Sequence, residues 1–545
     1  MRSRIAALRT LALLLAIVAN TLTGRPVDAQ VRIPADALVD VAELDRILRV
    51  GDQLERERRW GEALTHYEEA THQHPGRNEL QDRLVSARLH YDVVRRYSDT
   101  SFVNVATNFS QRQALDLYME VLLKIHSHYV EHPEWNKLVQ RGITALQVAS
   151  SESSFAERFG LTATEAEMAA FMDGVRARYL PAVKSRLDAR DAVFHLAHQV
   201  EQRFRLPVQA TVLECACAAA GSLDEYSAFL SGNQMDEVLS QIEGNFVGLG
   251  IELKADNQTL LIVSVIPGGP AADAGVQAGD RIIRVDSHST EEVSTDVAAD
   301  MLKGPEGSAV SLLLVDGNQS QRNVQLIRRR VEVPSVEDVS MIDLSYGVGY
   351  LRLTSFQKTT NRDVDSALWK LHHQGMRSVI IDVRGNPGGL LTAAVEVADK
   401  FVSEGSIVST RGRSPRENYE YRAHLVGTWR VPLIVLIDGN SASASEIFAG
   451  AVRDNHSGTV VGTRTYGKGS VQGIFPLKVA NAGIRLTTAK FFSPHGHPIS
   501  RRGVQPDVIV HTTARTPSSG EMKEDDADAI LEAGVQVARK QLSRR

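Results

Sequence analysis

Cysteine is scarce in this sequence, which has only Cys215 and Cys217 among 545 residues. The two lie two positions apart in a stretch with a helical pattern, so their side chains point about 200° apart and an intrahelical disulfide is geometrically unfavourable. No Cys or His at metal-ligand spacing follows them. We therefore expect two small buried residues, and the sequence predicts neither a metal site nor a cofactor.

The sequence also lacks a long basic stretch, and its net charge is −5. A nucleic-acid partner needs a positive footprint, so none is expected. Its clearest apolar run, Leu11–Leu22, is shorter than the roughly 20 residues that span a bilayer core. Arginines precede this run and small residues end at Ala29, which predicts a signal peptide over 1–29 and an exported, periplasmic or extracytoplasmic protein. An uncleaved membrane anchor is the alternative.

The segment after the signal predicts a helical hairpin with helices at 42–57 and 60–73, followed by a third helix at 77–96. Bulky and small residues fall at the spacing of one 34-residue tetratricopeptide repeat: Ile47, Gly51, Leu54, Ala63, Tyr67, Ala70 and Pro75. An ordinary helical hairpin explains them equally well. Such a region is a candidate site for a protein partner.

Helical periodicity continues to about Cys217, and short β-rich runs broken by glycine then occupy 244–330. The order of Phe246-Val247-Gly248-Leu249-Gly250, Pro270-Ala271 and Gly279-Asp280 resembles a PDZ domain of bacterial proteases. The resemblance implies a half-open β-barrel that binds a peptide C-terminus by strand addition. Backbone N–H groups in the loop of Phe246, Val247, Gly248, Leu249 and Gly250 would receive the carboxylate.

Beyond Val331 the pattern is that of an α/β domain. The continuous apolar run Leu433–Ile437 predicts a fully buried strand. It leads into Ser441-Ala442-Ser443-Ala444-Ser445-Glu446-Ile447, where a helix begins. A serine at a helix N-terminus can exploit free N–H groups and the helix dipole to stabilise negative charge. Serines also cap helices for structural reasons alone, so this segment by itself is weak evidence.

A lysine flanked by glycines strengthens the catalytic interpretation. In Gly467-Lys468-Gly469-Ser470-Val471-Gln472 the glycines predict close backbone packing around the lysine stem. Such packing removes water, lowers the lysine pKa and allows the neutral amine to accept a proton. Lys468 and Gln472 are four residues apart on a predicted strand, so Gln472 is expected to hold the amine.

A phosphate-binding loop is the other interpretation of this lysine. Gly462, Gly467 and Lys468 fit G-x-x-x-x-G-K, but Gly469 follows where Ser or Thr is required. The next residues alternate as a strand, whereas a phosphate loop opens a helix. Nucleotide binding is therefore not expected.

A third segment, Asn386-Pro387-Gly388-Gly389, lies between a strand and a helix. Its glycines can bring backbone N–H groups to a substrate, although a plain turn also explains them. Together the three segments and the PDZ module resemble the carboxyl-terminal processing, or tail-specific, peptidases from about Gln111 onward. The resemblance implies three catalytic roles: Ser443 as nucleophile, Lys468 as general base and Gln472 as the residue that orients Lys468.

The same resemblance implies an oxyanion hole from the N–H of Ala444 and that of Gly388 or Gly389. The implied substrates are polypeptides with free C-termini, cleaved by a serine endopeptidase. Glu225, in Leu223-Asp224-Glu225-Tyr226-Ser227, stands where a proline is commoner in the family. The predicted class is multidomain α+β, with a protease core of the ClpP/crotonase-like kind. The predicted divisions are a signal peptide at 1–29, a tetratricopeptide-like helical hairpin at 30–100, a helical part of the protease at 101–235, a PDZ domain at 236–330, the α/β catalytic core at 331–515 and a C-terminal helix at 516–545.

Two rival interpretations remain. A Ser-His-Asp triad would use His456, His495 or His497, but the sequence pairs none of them with a carboxylate. A catalytically silent scaffold of PDZ and helical repeats would bind peptides without cleaving them. The sequence does not predict the oligomeric state.

Overall fold

The computed structural model describes residues 35–74, 76–256, 259–290, 301–511 and 528–544. The predicted signal peptide, Pro75 and residues 291–300 of the predicted PDZ domain lie outside these ranges. Contacts divide the chain into two compact units, one ending at Tyr91 and one beginning at Asp92. No helix within the described ranges is long and apolar enough to cross a membrane.

The first unit contains helices α1 (Ala35–Arg56) and α2 (Trp60–Gln73), and α3 (Asn78–Ser98) begins in it. Gly51 of α1 packs directly on Tyr67 of α2, since a Cβ on Gly51 would lie 2.1 Å from the Tyr67 hydroxyl oxygen. Ala63 and Tyr67 are fully buried. The predicted hairpin is therefore present, and its tetratricopeptide character stays a prediction.

The second unit contains a helical region that packs around α10 (Val208–Gly221), an alanine-rich helix that is buried along most of its length. Both cysteines are buried there and free, as expected. Its helices are α4 (Thr100–Asn108), α5 (Gln111–His128), α6 (Trp135–Ser151), α7 (Ser153–Phe159), α8 (Glu165–Tyr179), α9 (Arg186–Phe204) and α10 (Val208–Gly221).

The PDZ region is a β-structure entered through strand β1 (Ala228–Leu230) and helix α11 (Gly232–Glu243). Its main sheet has the order β3-β4-β5-β7-β8, with β6 on β5, and β2 pairs separately with β9. Its elements are β2 (Asn245–Gly248), β3 (Ile251–Asp256), β4 (Thr259–Val265), α12 (Pro270–Asp273), β5 (Arg281–Val285), β6 (His288–Ser289), β7 (Ala309–Val315), β8 (Gln321–Ile327) and β9 (Arg329–Glu332).

The core that follows contains a six-stranded sheet of order β10-β11-β12-β15-β16-β19, parallel except for β10. Alternate residues of its strands face opposite sides, as the period of two requires. The elements that build it are β10 (Val336–Asp343), β11 (Val348–Leu353), α13 (Thr360–His373), β12 (Ser378–Asp382), α14 (Leu391–Asp399), β15 (Leu433–Ile437), α15 (Ala444–Asp454), β16 (Thr459–Gly462), β19 (Val508–Ile509) and α16 (Ala529–Leu542).

Both faces of this sheet are covered. Helices α13, α14 and α15 pack on the side chains of one face, including Val379 and Val435. The other face, including Ile380 and Ile434, packs against α16. This two-sided burial explains the continuous apolar run of β15. The C-terminal helix α16 thus forms part of the core.

A second sheet of the core centres on β18. It includes β1, the strand that follows the helical region. Strand β18 pairs with β1, β13 and β17, and β14 extends the sheet beyond β13. Its remaining strands are β13 (Ser406–Gly412), β14 (Tyr419–Arg422), β17 (Ser470–Leu477) and β18 (Ala482–Phe492). The segment before β1 therefore lies beside the strands that follow Lys468.

Candidate active site

The three predicted segments meet where strands β12 and β15 end. These strands are parallel neighbours, so the loops after them leave the same edge of the sheet. Oδ1 of Asp438 accepts the backbone N–H of Gly385 at 3.0 Å, and the Ser441 hydroxyl donates to the Val383 carbonyl at 2.8 Å. The glycine loop and the serine loop are thereby joined at their bases.

Asn386 fastens the two loops together at their tips. Its carbonyl accepts the N–H of Ala442 and the hydroxyl of Ser445, both at 3.0 Å. Its side-chain Nδ2 donates to the Leu353 carbonyl at 2.7 Å, and its Oδ1 accepts the N–H of Gly388 at 2.8 Å. Asn386 is fully buried, so these bonds satisfy its polar groups where water does not reach.

Gly388 lies directly beside Ser443. It has φ +105°, and a Cβ added to it would lie 2.7 Å from the Ser443 Cβ. The Gly388 carbonyl accepts the N–H of Phe356 at 2.9 Å. In a trans peptide the N–H of Gly389 points the opposite way, and it therefore points away from Phe356.

Ser443 has a strained backbone, with φ +56° and ψ −111°, and it is the N-cap of α15. A non-glycine residue rarely adopts this conformation, and such strain concentrates at functional sites. The turn presents Ser443 beside the first N–H groups of α15, which a helix cannot satisfy internally. The predicted position of Ser443 and Ala444 at a helix N-terminus is confirmed.

Glu446, on the first turn of α15, joins the serine segment to the lysine segment. Its Oε2 accepts the backbone N–H of Ser443 at 2.8 Å and that of Lys468 at 3.0 Å. Its Oε1 accepts the N–H of Gly467 and the hydroxyl of Thr465, both at 2.7 Å. Burial of the carboxylate raises the pKa of Glu446, and these four donors oppose that rise.

Lys468 is half-buried. Burial lowers its pKa below the usual lysine value, and the positive charge of Arg485 lowers it further, while Glu225 and Glu446 act in the opposite direction. The flanking glycines permit close backbone packing, as predicted: a Cβ on Gly469 would lie 2.1 Å from the Ser500 nitrogen. The Nζ of Lys468 lies 4.9 Å from the centroid of the Tyr226 ring.

The prediction that Lys468 and Gln472 share one strand is wrong. Strand β17 begins at Ser470, and a bulge interrupts its register between Val471 and Gln472. Alternation along a regular strand therefore does not relate the two side chains. Nε2 of Gln472 donates to the Ser470 hydroxyl at 2.9 Å.

Of the three histidines considered for a triad, His495 lies near a carboxylate, contrary to the sequence interpretation. Nδ1 of His495 lies 3.5 Å from Oδ2 of Asp454. Asp454 ends α15 whereas Ser443 caps its start, and an 11-residue helix is about 16 Å long. The His495–Asp454 pair is therefore at the wrong end of the helix to activate Ser443.

The predicted peptide-binding loop is largely a strand. Phe246, Val247 and Gly248 belong to β2, which pairs with β9, and this corrects the assignment of all five residues to a loop. Leu249 and Gly250 make the turn into β3. The Leu249 carbonyl accepts the N–H of Ala271 at 2.9 Å, and the Gly250 carbonyl accepts that of Ile266 at 2.8 Å. In each trans peptide the next residue's N–H points the opposite way from the carbonyl, and therefore away from Ala271 and Ile266.

Strand β3 is an edge strand of the PDZ sheet, since its only pairing in the described part of the chain is with β4. An edge strand offers unpaired backbone groups to an added strand.

The sequence patterns indicate no role for Glu446, Asn386 or Tyr226. The spacing Ser443-x-x-Glu446 is that of a capping box, and this signal predicts a glutamate folded back on the serine N–H. Nothing in the sequence indicates that the same carboxylate reaches Gly467 and Lys468, because that contact joins segments 21 and 22 residues apart.

The chain is similar to two known protein families and to named members of one of them. Residues 347–510 match the model of peptidase family S41, and residues 261–316 match that of a PDZ domain. A carboxy-terminal-processing protease of Bartonella bacilliformis is 38% identical over 295 residues, covering 53% of this chain and 67% of that relative. A carboxyl-terminal-processing protease of Synechocystis is 34% identical over 333 residues, covering 59% and 77%.

The solved structure of the photosystem II D1 C-terminal processing protease aligns with 73% of this chain and 93% of its own, at 25% identity and a TM-score of 0.37. The matched sequence families define a serine-type peptidase that carries a PDZ domain. The chain belongs to the carboxyl-terminal processing proteases of peptidase family S41.

Proposed function

We propose that the chain is a serine endopeptidase in which Ser443 is the nucleophile and Lys468 the general base. Neutral Lys468 takes the proton of the Ser443 hydroxyl, and the oxygen attacks the carbonyl carbon of a peptide bond. Collapse of the tetrahedral intermediate breaks the C–N bond, and the amine leaves with the proton returned by Lys468. Water then attacks the acyl-enzyme with Lys468 again as base and frees Ser443.

The observation that carries this proposal is the shared carboxylate oxygen of Glu446. Because Oε2 accepts the backbone N–H of both Ser443 and Lys468, the two segments are held within reach of one atom. The strain at Ser443 and the lowered pKa of Lys468 are the properties that an activated nucleophile and a neutral amine base require. Gln472 is retained as a candidate to orient the amine.

For the oxyanion hole we favour the N–H of Gly389 with that of Ala444. The N–H of Gly388 already donates to Oδ1 of Asn386, so it is not available to a substrate without breaking that bond. The N–H of Gly389 points away from Phe356, and its peptide lies beside Ser443. Two such donors stabilise the negative charge of a tetrahedral intermediate.

Substrates are proposed to be exported proteins selected by their C-terminal residues. The edge of β3 and the Leu249–Gly250 turn are the features of the PDZ domain that support strand addition and carboxylate capture. The arginine-flanked apolar run supports export.

The alternative is a silent peptide-binding scaffold, and a substrate assay separates the two. Purified protein is incubated with a peptide library that differs only at the C-terminus, alongside the Ser443→Ala and Lys468→Ala variants. Cleavage by the unaltered chain and its loss in both variants, with folding retained, is the expected result. Binding without cleavage by the unaltered chain would favour the scaffold.

A further inference from the structure

Tyr226 contacts Lys468 and also a second cation. Its ring faces the amine, with Nζ 4.9 Å from the ring centroid. Its backbone carbonyl accepts Nε of Arg485 at 2.8 Å. Glu225 directly precedes it in the chain and brings a carboxylate to the same place. Lys468 therefore has a positive neighbour, Arg485, and a negative neighbour, Glu225. The first is hydrogen-bonded to Tyr226 and the second is adjacent to it in the chain.

This arrangement is fixed by the sheet around β18. Ala228 of β1 is registered opposite Arg485 of β18, so the backbone of the Tyr226 segment runs alongside the strand that carries Arg485. Oδ1 of Asp224 accepts the N–H groups of Tyr226 and Ser227 at 2.9 and 2.7 Å. These two bonds stabilise the turn that presents Glu225 and Tyr226.

The charged and titratable groups around the amine come from several elements. Arg485 of β18 lowers the pKa of Lys468. Glu225, which precedes β1, and Glu446 of α15 raise it. The Tyr226 hydroxyl interacts with Glu225, Tyr466 and Glu446, and Arg485 interacts with Arg95 of α3 and with Asp224. Glu446 also accepts four hydrogen bonds that join the two dyad segments, so Arg485 and Glu225 are the two charges that can be removed without losing those bonds.

We propose that Arg485 and Glu225, held near Lys468 by the Tyr226 segment, are positioning residues of opposite sign that act on the general base and set the pH range of the enzyme. Arg485 favours the neutral amine, and Glu225 favours the ammonium. The inference rests on the proposed role of Lys468. It predicts that removing either charge moves the activity profile, and that the two movements have opposite directions.

The test is the pH dependence of kcat/KM for Arg485→Gln and Glu225→Gln. Loss of the like charge should move the rising limb of the profile about 0.5–1 pH unit upward, and loss of the carboxylate should move it downward by a similar amount. Arg485→Lys keeps the charge and should keep the profile near its original position. Arg112→Gln removes the same charge from a side chain that is 92% exposed on α5, and it should leave the pH profile unchanged.

A second readout does not depend on turnover. In a Ser443→Ala background, the rate at which acetic anhydride modifies Lys468 is measured by peptide mass spectrometry across pH, with and without Arg485→Gln or Glu225→Gln. The midpoints should move in the same two directions. Because Glu225 is exposed and Arg485 is half-buried, salt should reduce the Glu225 effect more strongly.

Shifts of the same sign in both variants, or no shift in either, would overturn the inference. Should Arg485→Gln fail to fold, the exposed Glu225→Gln variant still tests it. A separate outcome concerns the dyad alone: if Lys468→Ala cleaves substrate, the proposed function fails. If Lys468→Ala is inactive and the two profiles are unmoved, only the present inference fails.

Discussion

Oε2 of Glu446 accepts the backbone N–H of Lys468 at 3.0 Å, and the same oxygen accepts the N–H of the proposed nucleophile at 2.8 Å. A fully buried carboxylate thus joins the start of α15 to the loop that carries the proposed base. We therefore expect the relative position of Ser443 and Lys468 to depend on this group.

Glu446→Gln should therefore impair catalysis without abolishing binding. Each carboxylate oxygen accepts two bonds, and the carboxamide replaces one of them with an NH₂ that cannot accept. We expect kcat to fall about 100-fold or more, KM to change little, and the free energy of unfolding to fall by about 2–4 kcal/mol. Steady-state kinetics and chemical denaturation measure these quantities.

Glu396 provides a matched control, since it is exposed on α14. Glu396→Gln should change neither kcat nor the free energy of unfolding. Unaltered kcat in Glu446→Gln would show that the shared oxygen does not position the dyad.

Activity should rise with pH. The pKa of Lys468 is lowered by burial and by Arg485, so the neutral amine is present at lower pH than for an ordinary lysine, and its fraction grows as pH increases through that pKa. The kcat/KM of the unaltered enzyme should rise with pH and then level off. Lys468→Arg should be inactive throughout, because guanidinium keeps its proton. A profile that peaks below pH 6 would contradict the assignment.

Gly388→Ala should remove most activity because φ +105° is strained for alanine and the new Cβ would lie 2.7 Å from the Ser443 Cβ. We expect kcat/KM to fall at least about 100-fold, in the range seen when an oxyanion donor is lost. Gly439 lies in the adjacent loop with open space around its Cβ position, so Gly439→Ala is the control and should stay near the original rate. Equal rates for both variants would refute the proposed packing of Gly388 on the nucleophile.

Amidation of a peptide's C-terminus should weaken its binding. It removes the charge that the Leu249–Gly250 turn is proposed to receive, and charge-assisted bonds contribute about 1.5–3 kcal/mol, so Kd should rise about 10- to 150-fold. Calorimetry with matched free-acid and amidated peptides measures this in the Ser443→Ala variant, which cannot consume them. Equal affinities would refute tail recognition and leave the dyad untouched.

The parts of the fold that depend on local pattern could be predicted from the sequence. Strand Leu433–Ile437 and the serine at the start of the next helix follow from an apolar run and a capping pattern, and both are confirmed. The segment before β17 could not be predicted in this way. Alternation predicted a single strand from Lys468 to Gln472, whereas a loop and a bulge separate the two residues. The ClpP/crotonase-like character of the core stays a prediction.

Contacts between residues far apart in the chain could not be predicted from local sequence patterns. The reach of Glu446 to Lys468, the pairing of Arg485 with the Tyr226 carbonyl and the His495–Asp454 contact all join residues from separate elements. Their geometry depends on the tertiary packing of α15, β1 and β18. Composition and spacing contain no information on these distances.

The most direct test of the proposed mechanism is labelling of the purified protein with a serine-reactive peptidyl phosphonate, followed by peptide mass mapping at several pH values. The mechanism predicts a single adduct on Ser443 that forms faster as pH rises through the lowered lysine pKa, is absent in Lys468→Ala and is unchanged in His495→Ala. An adduct on another residue, or equal labelling of Ser443 in Lys468→Ala, would contradict a Ser443–Lys468 dyad.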